Sequence, residues 1–141
     1  NVCHSKFYDK LREQTGFPAD KRIKFVGTVY DAALLAAIRR HAYGYLHGHE
    51  VGGTNPSLLE ALGSTSLNLL LDVGFNSEVA RDSALYWSKE PGSLGRLIKR
   101  ADEMTEAARK ELGDRAKERI RSDYSWPFII GKYEQLFLQQ Q

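Results

Sequence analysis

The chain has 141 residues, 42% hydrophobic and 27% charged, with a formal net charge of +2. That balance describes a globular chain long enough for one domain with its own core, and it is too mild to argue for nucleic acid. The single cysteine, Cys3, excludes an internal disulfide and a Cys-rich metal framework.

Phe7, Tyr8 and Leu11 stand at helical spacing, which predicts a short helix ending at Gly16, with Pro18 preventing continuation. Residues 23–27 alternate and end in glycine, the pattern of a strand. Asp31 is placed to cap a helix carrying Leu34, Leu35 and Ile38. Residues 42–47 read as a buried strand, residues 48–54 as a glycine-rich loop, and a helix runs from about Pro56 to Leu62. Residues 66–72 form a near-continuous apolar run, suited to a strand buried on both faces of a parallel sheet. A turn at 73–76, a helical turn at 77–80 and a β-prone segment at 84–87 follow. Further helices are expected near 93–101 and 105–121, the latter dense in mixed charge that pairs at spacings of three and four on a wet face. Pro127 suits the start of a last helix over about 126–138, with Phe128, Ile129, Tyr133, Leu136 and Phe137 on its apolar side; Trp126, Phe128, Ile129, Tyr133 and Phe137 are expected to cover core. Strands alternating with helices predict an α/β fold with a Rossmann-like parallel sheet. No linker or repeat divides the chain, so one domain over 1–141 is expected.

The stretch His47-Gly48-His49-Glu50-Val51-Gly52-Gly53-Thr54-Asn55-Pro56-Ser57-Leu58-Leu59-Glu60 concentrates the chemistry. In open α/β sheets ligands bind beyond the carboxyl ends of strands, and this loop leaves such an end. Gly52 and Gly53 lack a Cβ, so phosphate oxygens can approach main-chain N–H groups. Asn55 or Thr54 can cap the helix, Pro56 suits its first position, and the helix start favours anionic oxygens. The Gly-Lys-Ser/Thr ending of a Walker loop is absent, as is the dinucleotide Gly-x-Gly-x-x-Gly pattern. Glu60 sits about one turn into the helix, and helical side chains lean toward the N-terminus. Its two oxygens suit vicinal hydroxyls; spacing alone equally allows a solvated helix glutamate. His47 and His49 lack a third metal ligand at recognisable spacing, so no metal is expected and polar contacts to ligand or loop backbone are. Asn76 and Glu78 are expected in a loop on the ligand side, touching ligand or serving as turn and cap. Tyr30 either frames a nucleobase or packs under the loop.

Residues 53–62, Gly-Thr-Asn-Pro-Ser-Leu-Leu-Glu-Ala-Leu, resemble the donor-site motif of retaining glycosyltransferases of family 4, which have the GT-B fold. His47-Gly48-His49 followed by Val51 to Leu58 resembles the bacterial rhamnosyltransferase branch that builds capsule and cell-wall polysaccharide. Residues 72–79 and Tyr124-Ser125-Trp126, with Tyr133 and Leu136 beyond, are similar to that branch too. The resemblance implies a donor-binding domain whose intact enzyme transfers a hexose, rhamnose from a dTDP donor, to a growing surface polysaccharide. It implies a donor-binding set of His49, Glu50, Gly52, Gly53, Thr54, Asn55 and Glu60, with no cofactor and no assignable catalytic group. Glu60 matches the second glutamate of the family's Glu-x7-Glu motif, which holds the donor's ribose. Gly52 occupies the place of the first, which contacts the sugar, so Glu50, His47, His49 or Asn55 takes that role.

The resemblance also implies what precedes such a domain: a strand, a helix and a second strand, an arginine and a lysine for the diphosphate, and an acceptor-binding N-terminal half. A chain that does not begin with Met is then expected to be truncated at its N-terminus and inactive alone. In the complete fold the last helix crosses back to that missing half, so part of its apolar stripe is expected to stand exposed here, and unpaired sheet edges would favour a homodimer or a rearranged sheet. The expected partners are a nucleoside-diphosphate sugar and, through the missing half, a glycan or lipid-linked acceptor, with no nucleic acid. Without an apolar span or a signal peptide, the expected place is the cytoplasm, at the inner face of the membrane for the full-length protein. A competing expectation is a non-catalytic α/β module that binds a phosphorylated metabolite or mediates assembly, which needs only a helix-start anion site.

Overall fold

Leu67, Leu69, Leu70 and Leu71 follow one another so closely that no single-sided strand could hide them. In the computed structural model, which describes residues 6–139, they form and flank a central strand. The strands are β1 (Tyr45–His47), β2 (Asn68–Leu71) and β3 (Leu85–Trp87), parallel and in the order β1-β2-β3. The helices are α1 (Lys6–Thr15), α2 (Ala32–His41), α3 (Pro56–Leu62), α4 (Gly74–Ala80), α5 (Ser93–Glu103), α6 (Glu106–Asp123) and α7 (Trp126–Leu138). The protein is thus mixed α/β, with a small parallel sheet.

Every residue of β2 is buried. Side chains alternate across a strand, and the two sets meet different partners. Leu70 packs with Leu58 and Leu62 of α3, Val79 and Ala80 of α4 and Ala116 of α6. Leu67, Leu69 and Leu85 pack with Leu97 and Ala101 of α5 and Leu112 of α6. Helix α6 therefore serves both clusters. Gly113 lets it come close: a Cβ there would lie 2.6 Å from the Ser66 Cα, just before β2. Arg119 of α6 fastens it to α4, its Nε donating to the Val79 carbonyl (3.1 Å) and its Nη2 to the Glu78 carbonyl (3.3 Å).

The chain divides into two compact units, one ending at Leu35 and one starting at Ala36. The smaller contains α1, a 3-10 turn at Phe17–Ala19 and an aromatic cluster of Tyr8, Phe17 and Phe25, with centroids 5.4–6.4 Å apart. It buries no described residue completely. Gly16, at φ +63°, turns the chain out of α1. Asp31 accepts from the N–H groups of Ala33 and Leu34 (2.9 and 3.0 Å) and so caps the helix the sequence assigned to it.

Three expectations need correction. Residues 23–27 form no strand. The alternation is present, but no other segment pairs with it among the described residues, and a ladder needs two strands. Asn76 and Glu78 lie within α4, which starts at Gly74 rather than at Ser77. The last helix was expected to cover core with only part of its stripe exposed, yet no residue of α7 is buried, and Trp126, Tyr133 and Phe137 are largely exposed. Its apolar residues are spread around the helix, so no single face can hide them all.

Gly113→Ala is expected to lose about 1–3 kcal/mol of stability or more, because the new methyl meets backbone rather than a flexible side chain. Gly95→Ala, in open space on α5, is expected to gain up to about 1 kcal/mol. Urea unfolding followed by circular dichroism measures both.

Candidate functional site

β1 aims alternate side chains at one face, and the same alternation continues into the loop. Tyr45 and His47 stack at 5.8 Å, and His47 and His49 stack at 5.8 Å in turn. The Tyr45 hydroxyl lies 3.1 Å from His47 Nδ1. His47 is buried at 6% exposure, and its Nε2 has no hydrogen-bond partner. Burial, and secondarily the charge of His49, holds the His47 imidazole below the usual histidine range.

Beyond His47 the loop emerges at the carboxyl end of the sheet, with residues 48–54 exposed. Gly52 stands at φ +135°, which L side chains rarely adopt. The N–H groups of Gly52, Gly53 and Thr54 have no protein acceptor among the described residues. Glu50 reaches across the sheet end to Lys89, just past β3. Gly48 lies against the Trp87 indole, where a Cβ would sit 3.7 Å from the ring.

One side chain ties the loop to the sheet. Asn76, fully buried in α4, donates from Nδ2 to the carbonyls of Leu71 (2.9 Å) and His49 (3.2 Å). Asparagine is expected at turns; here it holds a strand end and a loop together.

At the helix start, Asn55 and not Thr54 is the cap. Its Oδ1 accepts from Ser57 N (2.9 Å) and Leu58 N (3.3 Å). This corrects the expectation that the first amides of α3 stand free for an anion: two are already taken by the cap. The amides left for a ligand are those of the loop.

Glu60 is not simply solvated. Its Oε2 is 2.5 Å from an Arg39 guanidinium nitrogen, with the arginine side chain 11% exposed and the glutamate 57%. The pair sits near the Tyr45 hydroxyl. Burial raises the Tyr45 pKa, with Arg39 opposing and Glu60 adding to the shift. The Glu60–Arg39 pair thus acts through its charges on Tyr45, which begins the stacked column of Tyr45, His47 and His49. Oε1 of Glu60 has no protein partner among the described residues.

The site residues read from sequence therefore fall into two connected groups. His49, Glu50, Gly52, Gly53 and Thr54 share the loop, and Asn55 and Glu60 share α3. Glu78 is exposed, with its carbonyl bound to Arg119. Tyr30 is 93% exposed. Sequence reasoning missed Arg39, the tying role of Asn76 and the partner of Glu50. The spacing Tyr45-x-His47-x-His49 was the available signal for the stacked column, since residues two apart share a strand face. A depression of about 270 Å³, lined by Tyr43, Leu46, Leu69 and Ile98, belongs to the opposite sheet face. Among the described residues no three His, Cys, Asp or Glu side chains converge to hold a metal, and no helix is long and apolar enough to cross a membrane. No protein-family model, curated protein or solved structure matches the chain.

His47 gives the site a pH signature. The unfolded chain takes up a proton near the ordinary histidine value of 6.5, while the folded chain, with its pKa lowered, resists. The stability His47 contributes is therefore whole above about pH 6.5 and declines as pH falls toward the lowered value. The urea midpoint is expected to fall between about pH 7 and about pH 5, and His47→Phe is expected to flatten that part of the profile.

Proposed function

We propose that this chain is the donor-binding part of a retaining GT-B glycosyltransferase, whose intact enzyme transfers a hexose, rhamnose from dTDP-rhamnose, to a bacterial surface polysaccharide. One observation supports this reading above the others. An exposed loop of unpartnered amides leaves the carboxyl end of a parallel strand and leads directly into a helix whose glutamate keeps one oxygen free.

The division of labour follows from the geometry. Because Asn55 occupies two helix-start amides, the diphosphate contacts fall to Gly52, Gly53 and Thr54. Amides fixed in place stabilise the negative charge that grows on a departing diphosphate. Arg39 holds Glu60 through Oε2, which leaves Oε1 for the pentose. A deoxyribose offers only one of the two hydroxyls a ribose would, so a single free carboxylate oxygen suffices. Glu50, engaged by Lys89, is available to the sugar only if that exposed pair opens; such pairs contribute little, about 0–1 kcal/mol.

The Arg39–Glu60 pair itself favours a second reading, a non-catalytic module in which Glu60 is structural and the loop amides bind a phosphorylated metabolite. Calorimetric titration with dTDP, UDP and inorganic phosphate separates the two. Donor binding is expected to give saturable dTDP binding, much weaker phosphate binding, and about a tenfold loss for dTDP in Glu60→Ala. Glu60→Gln, which keeps an oxygen for Arg39, serves as the folding control. Equal affinity for phosphate and dTDP, untouched by Glu60→Ala, would replace the glycosyltransferase reading with the second.

A further inference from the structure

Helix α7 carries Trp126, Ile130, Tyr133 and Phe137 at spacings of four, three and four. That is the alternation of a coiled-coil seam, which keeps one stripe of side chains along one side of a helix. All four are exposed, at 78%, 50%, 59% and 65%. The Tyr133 and Phe137 rings stack at 6.5 Å, so neighbours within the stripe already touch. The charged side chains of α7, Lys132 and Glu134, stay out of it. Lys132 lies over the Phe128 ring, 5.4 Å from its centre, and at 100° per residue both fall on the far side of the helix from the stripe.

The stripe is complementary to itself. Spacings of four, three and four read alike in both directions. An antiparallel second copy, related by a two-fold axis level with residues 131 and 132, therefore sets Trp126 against Phe137 and Ile130 against Tyr133, and does so twice. No like charges face each other in that register. The area is sufficient. Trp126, Tyr133 and Phe137 leave well over half of each ring in water, and an aromatic side chain offers about 150–250 Å². With Ile130 and Leu136 added, one copy contributes roughly 500–600 Å², so the pair buries about 1,000–1,200 Å², at the lower limit for a specific interface. A lipid surface fits less well. Helices that lie on membranes carry lysine and arginine on a polar face, whereas α7 has one lysine balanced by one glutamate.

We propose that α7 is a self-association surface, through which this chain pairs with a second copy of itself, antiparallel and two-fold symmetric along Trp126, Ile130, Tyr133 and Phe137. The sheet edges are a poorer route to a dimer. The outer strands β1 and β3 are three residues each, and edges that short discourage pairing. An interface of this size gives a weak, reversible dimer that is dilute-monomeric and forms with rising concentration. The contact uses no residue of the glycine loop, so it stands or falls apart from the donor-site reading.

Sedimentation equilibrium of the whole chain, from about 5 µM to about 1 mM, is the first test. The mass of the wild type is expected to rise from 15.9 kDa toward twice that value. Tyr133→Glu places a carboxylate in the centre of the stripe and is expected to weaken the dimer at least about tenfold. Gln135→Glu adds the same charge on the far side of α7 and is expected to change nothing. Cross-linking then reads the direction of the helices. In a Cys3→Ser background, an Ile130→Cys chain mixed with a Tyr133→Cys chain is expected to form the mixed disulfide severalfold faster than either forms its own. A wild type still monomeric at about 1 mM would overturn the interface and leave the stripe to a covering segment elsewhere in the protein. A dimer indifferent to Tyr133→Glu would overturn it in favour of another surface, and faster linkage between like positions would overturn the antiparallel register. Binding of the monomer to phosphatidylcholine–phosphatidylglycerol vesicles, lost in Tyr133→Glu, would reassign the stripe to a membrane surface.

Discussion

A strand buried on both faces is the constraint from which the larger unit follows. Leu69 and Leu71 point one way and Leu70 the other, and each side must be covered. A leucine taken fully out of water is worth roughly 1.5–3 kcal/mol, most of which chain ordering takes back, so neither face can be left wet. Helices α3 and α4 therefore pack with part of α6 over Leu70, and α5 with the rest of α6 over Leu69. Because both strand pairs are parallel, all three strands finish at the same end. That common end brings the loop after β1, the start of α4 and Lys89 after β3 within reach of one another, although they are far apart in sequence.

Polar groups then fix the details that apolar packing leaves open. Asn76 has no apolar reason to be inside. Its Nδ2 is committed to two carbonyls, one at the end of β2, which also accepts from Val73 N (2.9 Å), and one in the exposed loop. Arg39 does similar work lower on the same face, holding Glu60 by its guanidinium while its own carbonyl accepts from Thr65 Oγ1 at 3.2 Å. The loop amides of Gly52, Gly53 and Thr54 remain unclaimed because this stretch belongs to no ladder.

Much of this was legible in the residues. Apolar spacing located the helices, and the unbroken leucines identified the central strand and hence a parallel α/β sheet. Asn55 before Pro56 marked the start of α3. Residues 23–27 misled because alternation records only which residues favour a strand, not whether a neighbour exists to complete it. The site was harder. Glu60 and Arg39 lie 21 positions apart, and nothing local to either announces the other. The capping preference of Asn55 was visible, but its consequence, two helix amides withdrawn from any ligand, appears only when the side chain is seen making both bonds. Asn76 looked like a turn residue because turns and buried tie points both select a short amide.

The contact between Gly48 and Trp87 gives the protein a built-in optical gauge. The chain has two tryptophans. Trp126 is 78% exposed and fluoresces as an indole in water, at long wavelength and with little dependence on events elsewhere. Trp87 has its ring against the first residue of the loop and a sealed indole nitrogen, so its emission is blue-shifted and follows the polarity of that one spot. Any rearrangement of the glycine segment changes the colour of a chromophore the chain already carries, and light alone can follow the loop without a label.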